Sequence, residues 1–506
     1  MGMSLVRGRY LVSRVGATGA VVIEDGALVQ RDGEILAIGP YGELAARYAP
    51  DELIGSPEHV VFPGLVNAHH HVGLTPFQLG SPDLPLELWL ASRLGARDVD
   101  PYLDTLYSAF EMVESGVTTV QHLWGQRRGP AAAWPDRARQ VLRAYQDLGM
   151  RVSFGFMIRD QNQLVYGGDD AFVRSLPSGL RGEAAAAFAG MRIPVDEYFE
   201  RLFVDLYEAA GENRAERVRI WLAPANLHWC SDGLLARIKA HAARYRVGIH
   251  IHLVETPYQQ RYAERRSGGT AAGHLAALGF LGPEVTLGHA VWLTEADIDL
   301  VAGAGATVCH NASSNLRLQS GTAPVNRLLA RGVRVALGID EAGLNDDRDM
   351  LQEMRLVLRL HRVPGHDARA PTAAEVFRMA TEHGAHATGF GDRVGALEPG
   401  RAADVVVMRL GNVAYPYLDP AAPVLDALVH RGRSADVETV MIAGEVVMRD
   451  RRFTRVSKAD ALEALAASLR VPLRPDEVRR RELAQALLPH VRRFYHGWEV
   501  PEGSRA

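Results

Sequence analysis

Pro63-Gly64-Leu65-Val66-Asn67-Ala68-His69-His70-His71 is the stretch on which the reading of this 506-residue chain turns. Side chains alternate along an extended strand, so His69 and His71 share one face and His70 takes the other. The apolar run at residues 60–66 sets the pair at the end of a strand. Two imidazoles on one face, at the C-terminal mouth of a barrel strand, make half of a metal site. Taken alone, a His-x-His pair is as readily a surface or structural pair.

Working outward, the next chemistry-bearing segment is Gly248-Ile249-His250-Ile251-His252-Leu253-Val254-Glu255-Thr256. His250 and His252 share a face, with His250 one layer deeper and read as structural. Glu255 lies just past the strand end, where a carboxyl near a metal-activated water could shuttle protons. His289 closes the apolar run at 285–288, and Asp340 closes the run at 333–339. A carboxylate after so apolar a strand is expensive unless it meets a cation or hydrogen-bond donors. Four strand ends therefore offer metal-competent or acid–base groups to one mouth.

The strand-like runs at 60–67, 116–120, 152–156, 218–222, 247–252, 285–289, 306–309 and 333–339 alternate with helical patterns. This predicts an α/β fold, a distorted (β/α)8 TIM-type barrel. No Gly-rich phosphate fingerprint follows any of the runs, which removes the usual reason for a dinucleotide-binding sheet. Short strands at 20–24, 28–30 and 34–38, and again at 404–410, 439–443 and 445–448, predict one small β-sandwich built from both ends of the chain. The expected organisation is sandwich at 1–62, barrel at 63–393, sandwich again at 394–455, and a helical segment at 456–506 without catalytic signature.

Composition narrows the function classes. Hydrophobic residues make up 47% and charged residues 23%, and the formal net charge of −4 provides no basic field for nucleic acid. Two cysteines, Cys230 and Cys309, exclude a disulfide framework. No signal peptide and no membrane-length apolar stretch is read, so the expected setting is cytoplasmic.

Together these segments resemble the amidohydrolase superfamily, in its branch of triazine hydrolases and guanine- and S-adenosylhomocysteine-type deaminases. The residues that carry the resemblance are those at 63–71, His252-x-x-Glu255, Gly288-His289 and His310-Asn311-Ala312-Ser313-Ser314-Asn315-Leu316. Leu337-Gly338-Ile339-Asp340 and the closing segment at 395–404 complete it. The resemblance implies metal ligation by His69, His71, His252 and Asp340, with Glu255, His289 and Asp340 as acid–base residues. Other branches bridge two metals through a modified lysine at the fourth strand. Here that strand has none, and Lys239 and Lys458 fall elsewhere. One divalent ion, zinc or iron, is implied, and also a homodimer or larger oligomer. In one departure from the family pattern, Glu341 follows Asp340 where a small residue is usual.

The function this implies is hydrolytic deamination of a nitrogen heterocycle or cyclic amidine by metal-activated water. A second reading keeps the site but changes the leaving group to chloride, hydrosulfide or alkylamine, or cleaves an amide or urea bond. A third, of a different class, is a metal-free binding protein retaining the fold. Gln78, Trp89, His122, Arg159, His228, Asn315 and Glu341 are candidates to touch substrate, because barrel pockets are built from the loops after the strands. Arg159 or Arg348 could take a substrate carboxylate, and Glu341 could pair with Arg348.

Overall fold

The middle of the chain is a succession of short parallel strands in which nearly every side chain is buried, as expected where helices cover a sheet on its faces. They are β5 (Leu65–His70), β6 (Val117–Trp124), β7 (Arg151–Ile158), β8 (Val218–Ile220), β9 (Ala223–Pro224), β10 (Ile249–Leu253), β11 (Val285–His289), β12 (Thr307–His310) and β13 (Arg334–Leu337). In this computed structural model, which describes residues 2–16, 19–126, 129–366 and 368–498, they form two sheets. One has the order β5-β6-β7-β8, with β9 paired to β7; the other has the order β10-β11-β12-β13. Isolated parallel bridges Leu222–Ile249, Asn226–His252 and His70–Asp340 join the edges of the two sheets. The arrangement is α/β and compatible with a TIM-barrel-like fold. All eight runs anticipated from the sequence carry strands, the fourth being split into β8 and β9.

The covering helices follow from periodicity. Helix Trp134–Leu148 buries Trp134, Ala138, Val141, Leu142, Tyr145 and Leu148, a single stripe at helical spacing. It begins with Pro135 in its first turn and ends at Gly149, whose φ of 85° is the left-handed stop that glycine adopts freely.

The ends of the chain meet in one eight-stranded sheet, in the order β17-β16-β15-β14-β4-β1-β2-β3. Its strands are β1 (Met3–Gly16), β2 (Gly19–Arg31), β3 (Glu34–Pro40), β4 (Glu52–Pro63), β14 (Val405–Arg409), β15 (Val437–Ile442), β16 (Glu445–Arg449) and β17 (Arg452–Phe453). The join is antiparallel, with Val405 opposite Pro63 and Val407 opposite Val61. Two expected strands, 20–24 and 28–30, turn out to be one. Asp25-Gly26 reads as a turn, but β1 pairs straight through it, with Gly8 opposite Gly26. Met1 and residues 499–506, the outer ends of the expected first and last segments, lie outside the described residues.

One buried ion pair ties the parallel strands to the terminal sheet. Arg151, at the start of β7, donates from Nε and Nη2 to the two oxygens of Asp404 at 2.9 and 3.0 Å. Both side chains are buried, and Asp404 also accepts from the Ala443 N–H at 2.8 Å. Helix Pro475–Phe494 packs across helix Leu86–Ser92 and the turn Arg93–Gly95. Among the described residues no helix is long and apolar enough to cross a membrane. Replacing Asp404 by alanine leaves the buried Arg151 guanidinium with only Glu216, at 3.0 Å, as a carboxylate partner, and stability is expected to fall by an amount toward the lower end of about 3–5 kcal/mol. Denaturant unfolding of the Asp404→Ala variant measures this.

Candidate active site

The site is made by the C-terminal ends of β5, β10, β11 and the segment after β13. Backbone strain concentrates there: Val254 has φ 39°, His289 φ 66° and Asp340 φ 62°. For a β-branched residue such as Val254 this is a costly conformation, held only where the surroundings enforce it. The turns aim Glu255, His289 and Asp340 inward. Asp340 is fixed across the seam by its N–H donating to the His69 carbonyl at 2.8 Å. Asn67 adds a second tie, its Oδ1 accepting from the Ile339 N–H at 3.0 Å.

Three imidazoles converge on one point. His71 Nε2 lies 3.0 Å from His69 Nε2 and 3.1 Å from His252 Nε2. Asp340 Oδ1 is 3.2 Å from His71 Nε2 and 3.6 Å from His69 Nε2. The outer nitrogens are engaged: His71 Nδ1 with the Leu123 carbonyl at 2.6 Å, His252 Nδ1 with the Ala225 carbonyl at 2.7 Å, and His69 Nδ1 with His250 Nε2 at 2.8 Å. A neutral imidazole that donates from Nδ1 presents a bare lone pair at Nε2. Lone pairs of His71 and His252 then face each other with no proton between them, an arrangement that fits a cation ligated on three nitrogens and a carboxylate. His69, His71 and His252 form one metal-competent group; His69, His289 and Asp340 form another that overlaps it.

The electrostatics fit as well. Burial drives His69 down to about 3 and His252 and His250 well below the ordinary imidazole value, favouring the neutral form that ligation needs. His71 is raised, since the Asp340 carboxylate outweighs the effect of burial. Burial alone would raise Asp340, but hydrogen bonding to His69 and His71 holds it well below the carboxylate range. Glu255 goes the other way. Burial first, then the charge of Asp340, pushes it well above its ordinary value, favouring the protonated form. Glu255 Oε1 sits 3.6 Å from His289 Nδ1, and His289 Nε2 sits 3.8 Å from Asp340 Oδ2. Ser314 donates to Asp340 Oδ2 at 2.5 Å, Ser320 to Glu255 Oε1 at 3.3 Å, and Asn315 Oδ1 holds His289 Nδ1 at 2.9 Å.

The amidohydrolase family model matches residues 60–447. The chain belongs to the amidohydrolase family. It is 33% identical over 445 residues, 87% of its length and 92% of the relative's, to a 5-methylthioadenosine/S-adenosylhomocysteine deaminase of Syntrophobacter fumaroxidans (strain DSM 10017 / MPOB). It is 30% identical over 446 residues, 87% of its length and 92% of the relative's, to a 5'-deoxyadenosine deaminase of Methanosarcina mazei (strain Goe1). Among solved structures it resembles an adenosine deaminase from Xanthomonas campestris with bound zinc. The TM-score is 0.73 and the identity 26%, covering 95% of this chain and 98% of that one. Amidohydrolases use a divalent metal, and the His/Asp group of this amidohydrolase is able to bind one.

A cavity of about 220 Å³ opens onto His71, His252, Glu255, His289 and Asp340. Of the residues expected to touch substrate, Trp89, Arg159 and Glu341 line it. Four others lie off its wall. His122 is enclosed between Tyr145 and the His71 carbonyl. Asn315 stands behind His289. Gln78 bonds Tyr107 and Thr75, and the His228 ring is buried against Tyr166. Arg348 is also turned away from substrate. It is buried and donates to the carbonyls of Val72, Gly73 and Glu341, and the Glu341 carboxylate pairs instead with Arg93 at 2.5 Å. Ser314, Ser320, Gln259 and Glu87 were not anticipated. Ser314 lies inside the motif at 310–316, but nothing local marks the other three.

Two glycines make room for His69. A Cβ on Gly338 would lie 2.5 Å from His69 Cβ and 3.0 Å from Cys309 Sγ, and one on Gly288 would lie 3.0 Å from His69 Cε1. Gly338→Ala is therefore expected to displace His69 and lower bound metal several-fold, at a stability cost of about 1–3 kcal/mol. Metal analysis and thermal melting of the same sample check both.

Proposed function

We propose that this protein hydrolytically deaminates a nitrogen heterocycle of the adenine nucleoside type, with the nucleoside modified at its 5' position. The observation that carries the reading is the buried Glu255 carboxyl on the cavity, 3.6 Å from His289, which in turn lies 3.8 Å from Asp340; burial favours its protonated form. The activities named for the two relatives support the substrate class. His69, His71, His252 and Asp340 would hold one ion, zinc by likeness to the zinc-bound neighbour. The absence of a lysine from β8 and β9 favours a single ion. When bound, such an ion lowers the pKa of a water toward neutrality.

The chain's own residues do the rest. Glu255 donates its proton to the ring nitrogen next to the amine-bearing carbon, which makes that carbon open to attack. Asp340 takes a proton from the attacking water, and His289, held by Asn315, orients that water. The proton taken by Asp340 then leaves with the amine as ammonia, and the hydroxyl proton returns to Glu255 as the oxo product forms. Apolar cavity residues such as Leu86, Leu90, Leu164 and Leu318 would exclude bulk water around the ring.

The architecture belongs to the same proposal. The bridges His70–Asp340 and Leu222–Ile249 support reading the two parallel sheets as one closed eight-stranded barrel over 63–393. The Ala403 N–H donates to the Gly33 carbonyl and the Ile35 N–H to the Arg401 carbonyl. These contacts across the terminal sheet support a β-sandwich over 1–62 and 394–455, with the helical segment following. Two free, buried cysteines are in keeping with a cytoplasmic protein.

Glu255→Gln should retain the metal and lose roughly 10²–10⁴-fold in kcat for ammonia release, and near-normal turnover would sink the shuttle assignment. Asp340→Asn should lose both metal and activity, measured by metal analysis and ammonia assay. The upward shift of Glu255 also fixes the sign of the pH dependence. The competent form is the protonated one, so kcat holds below its raised pKa and falls as pH climbs through it; a flat alkaline limb would contradict this.

A further inference from the structure

The side chain of Glu255 has few holds of its own: Ser320 at 3.3 Å, His289 at 3.6 Å and, just before it, the strained Val254. What fixes this stretch is a buried polar network reaching it from two distant parts of the chain. Glu87, on helix Leu86–Ser92, is 3% exposed, and its Oε1 accepts from Thr256 Oγ1 at 2.5 Å and from the Tyr166 hydroxyl at 2.9 Å. Gln259 Nε2 donates to that same hydroxyl at 3.3 Å, and Gln259 Oε1 accepts the Glu255 N–H at 2.9 Å and Asn226 Nδ2 at 3.1 Å. Asn226 in turn bridges the backbone of His252. Tyr166 donates its N–H to the Tyr495 hydroxyl at 3.0 Å.

Tyr495 closes helix Pro475–Phe494, whose Leu483, Leu487 and Val491 pack in one apolar cluster with Leu164, Val165 and Phe172. The helix seats closely on the cavity wall. Gly95 has no side chain where Arg481 Cα approaches, and Glu477 accepts the Asp98 N–H at 2.9 Å.

We propose that Glu87 is a positioning residue for Glu255, acting through Thr256, Tyr166 and Gln259, and that the C-terminal helix locks the same network through Tyr495. This rests on the reading of Glu255 as the proton donor. A buried carboxylate costs several kcal/mol unless its bonds repay it, and Glu87 meets hydroxyl donors instead of a cation. An apolar residue would fill the same core space without that penalty, whereas only an acceptor can bind Thr256 and Tyr166 together. Burial raises the carboxyl of Glu87, the hydroxyl bonds working against that rise. The same charge adds to the upward push on Glu255, after burial and Asp340.

Four variants and one control, each assayed for kcat, KM, bound metal and melting temperature, test this. Tyr166→Phe and Glu87→Leu are expected to lower kcat roughly 10- to 100-fold, as small misplacements of an acid do. KM should stay within about threefold and metal content unchanged. Glu87→Gln keeps an oxygen that accepts the same two bonds and should hold kcat within about threefold of the parent. Tyr495→Phe is expected to lower kcat by about three- to tenfold. Tyr166→Phe stands by itself if Glu87→Leu does not fold. Unchanged kcat in Tyr166→Phe, or a fall matched by lost metal, overturns the positioning role, and unchanged kcat in Tyr495→Phe overturns the helix's part. Glu255→Gln is the control: if it stays active the proposed function itself fails, whereas if it is dead beside an unaffected Tyr166→Phe only this inference fails.

Discussion

The whole site depends on three imidazole nitrogens pointing at one another inside the protein. His71 Nε2 lies 3.0 Å from that of His69 and 3.1 Å from that of His252, and each ring is turned inward with its Nδ1 engaged on the far side. Imidazole lone pairs brought face to face in a buried site suit a shared cation. The Asp340 carboxylate and the surrounding dry wall make sense as the rest of one cation-binding cage. The strained turns at Val254, His289 and Asp340 are where the fold absorbs the conformational cost of the convergence.

The same constraint sorts the acids. Asp340 and Glu255 are both buried, yet their protons behave oppositely. Asp340 has imidazoles and Ser314 as partners, which favour its ionised form; Glu255 has burial, the repulsion of Asp340 and only Ser320 and His289 nearby, which favour its protonated form. Two carboxyl groups in one cavity are thus pushed in opposite directions by environment alone, the pattern that acid and base roles would require. Glu341, beside Asp340, pairs with Arg93, which also lies over the Trp89 ring, and its charge adds a smaller upward push on Glu255.

The terminal sheet matters to the site because β4 runs through Pro63-Gly64 directly into β5. Its pairing with β14 therefore sets where His69 begins its approach. The Arg151–Asp404 pair pins the same junction from the other side. Damage to that clamp would act on His69 and His71 through strand position, without touching either residue.

The sequence by itself determined the α/β alternation, the eight parallel strands, and which side chains stand at their ends. Those are local properties: side-chain alternation over three residues made His69 and His71 partners, and apolar runs of four to eight residues marked the strands. Where local signals misled, the cause was equally local. Asp25-Gly26 looks like a turn and is carried inside a long paired strand, because β1 offers Gly8 across from it. Only the tertiary structure decided which polar residues face the cavity and which prop up the ones that do. His122 lies within β6 and Asn315 and Arg348 beyond later strand ends, and their hydrogen bonds set all three behind the site. Glu87, Tyr166, Gln259 and Tyr495 come from four distant segments and carry no shared pattern. A hydrogen bond between residues 79 or 329 positions apart leaves no trace in periodicity; it exists only once the helices and strand ends have packed.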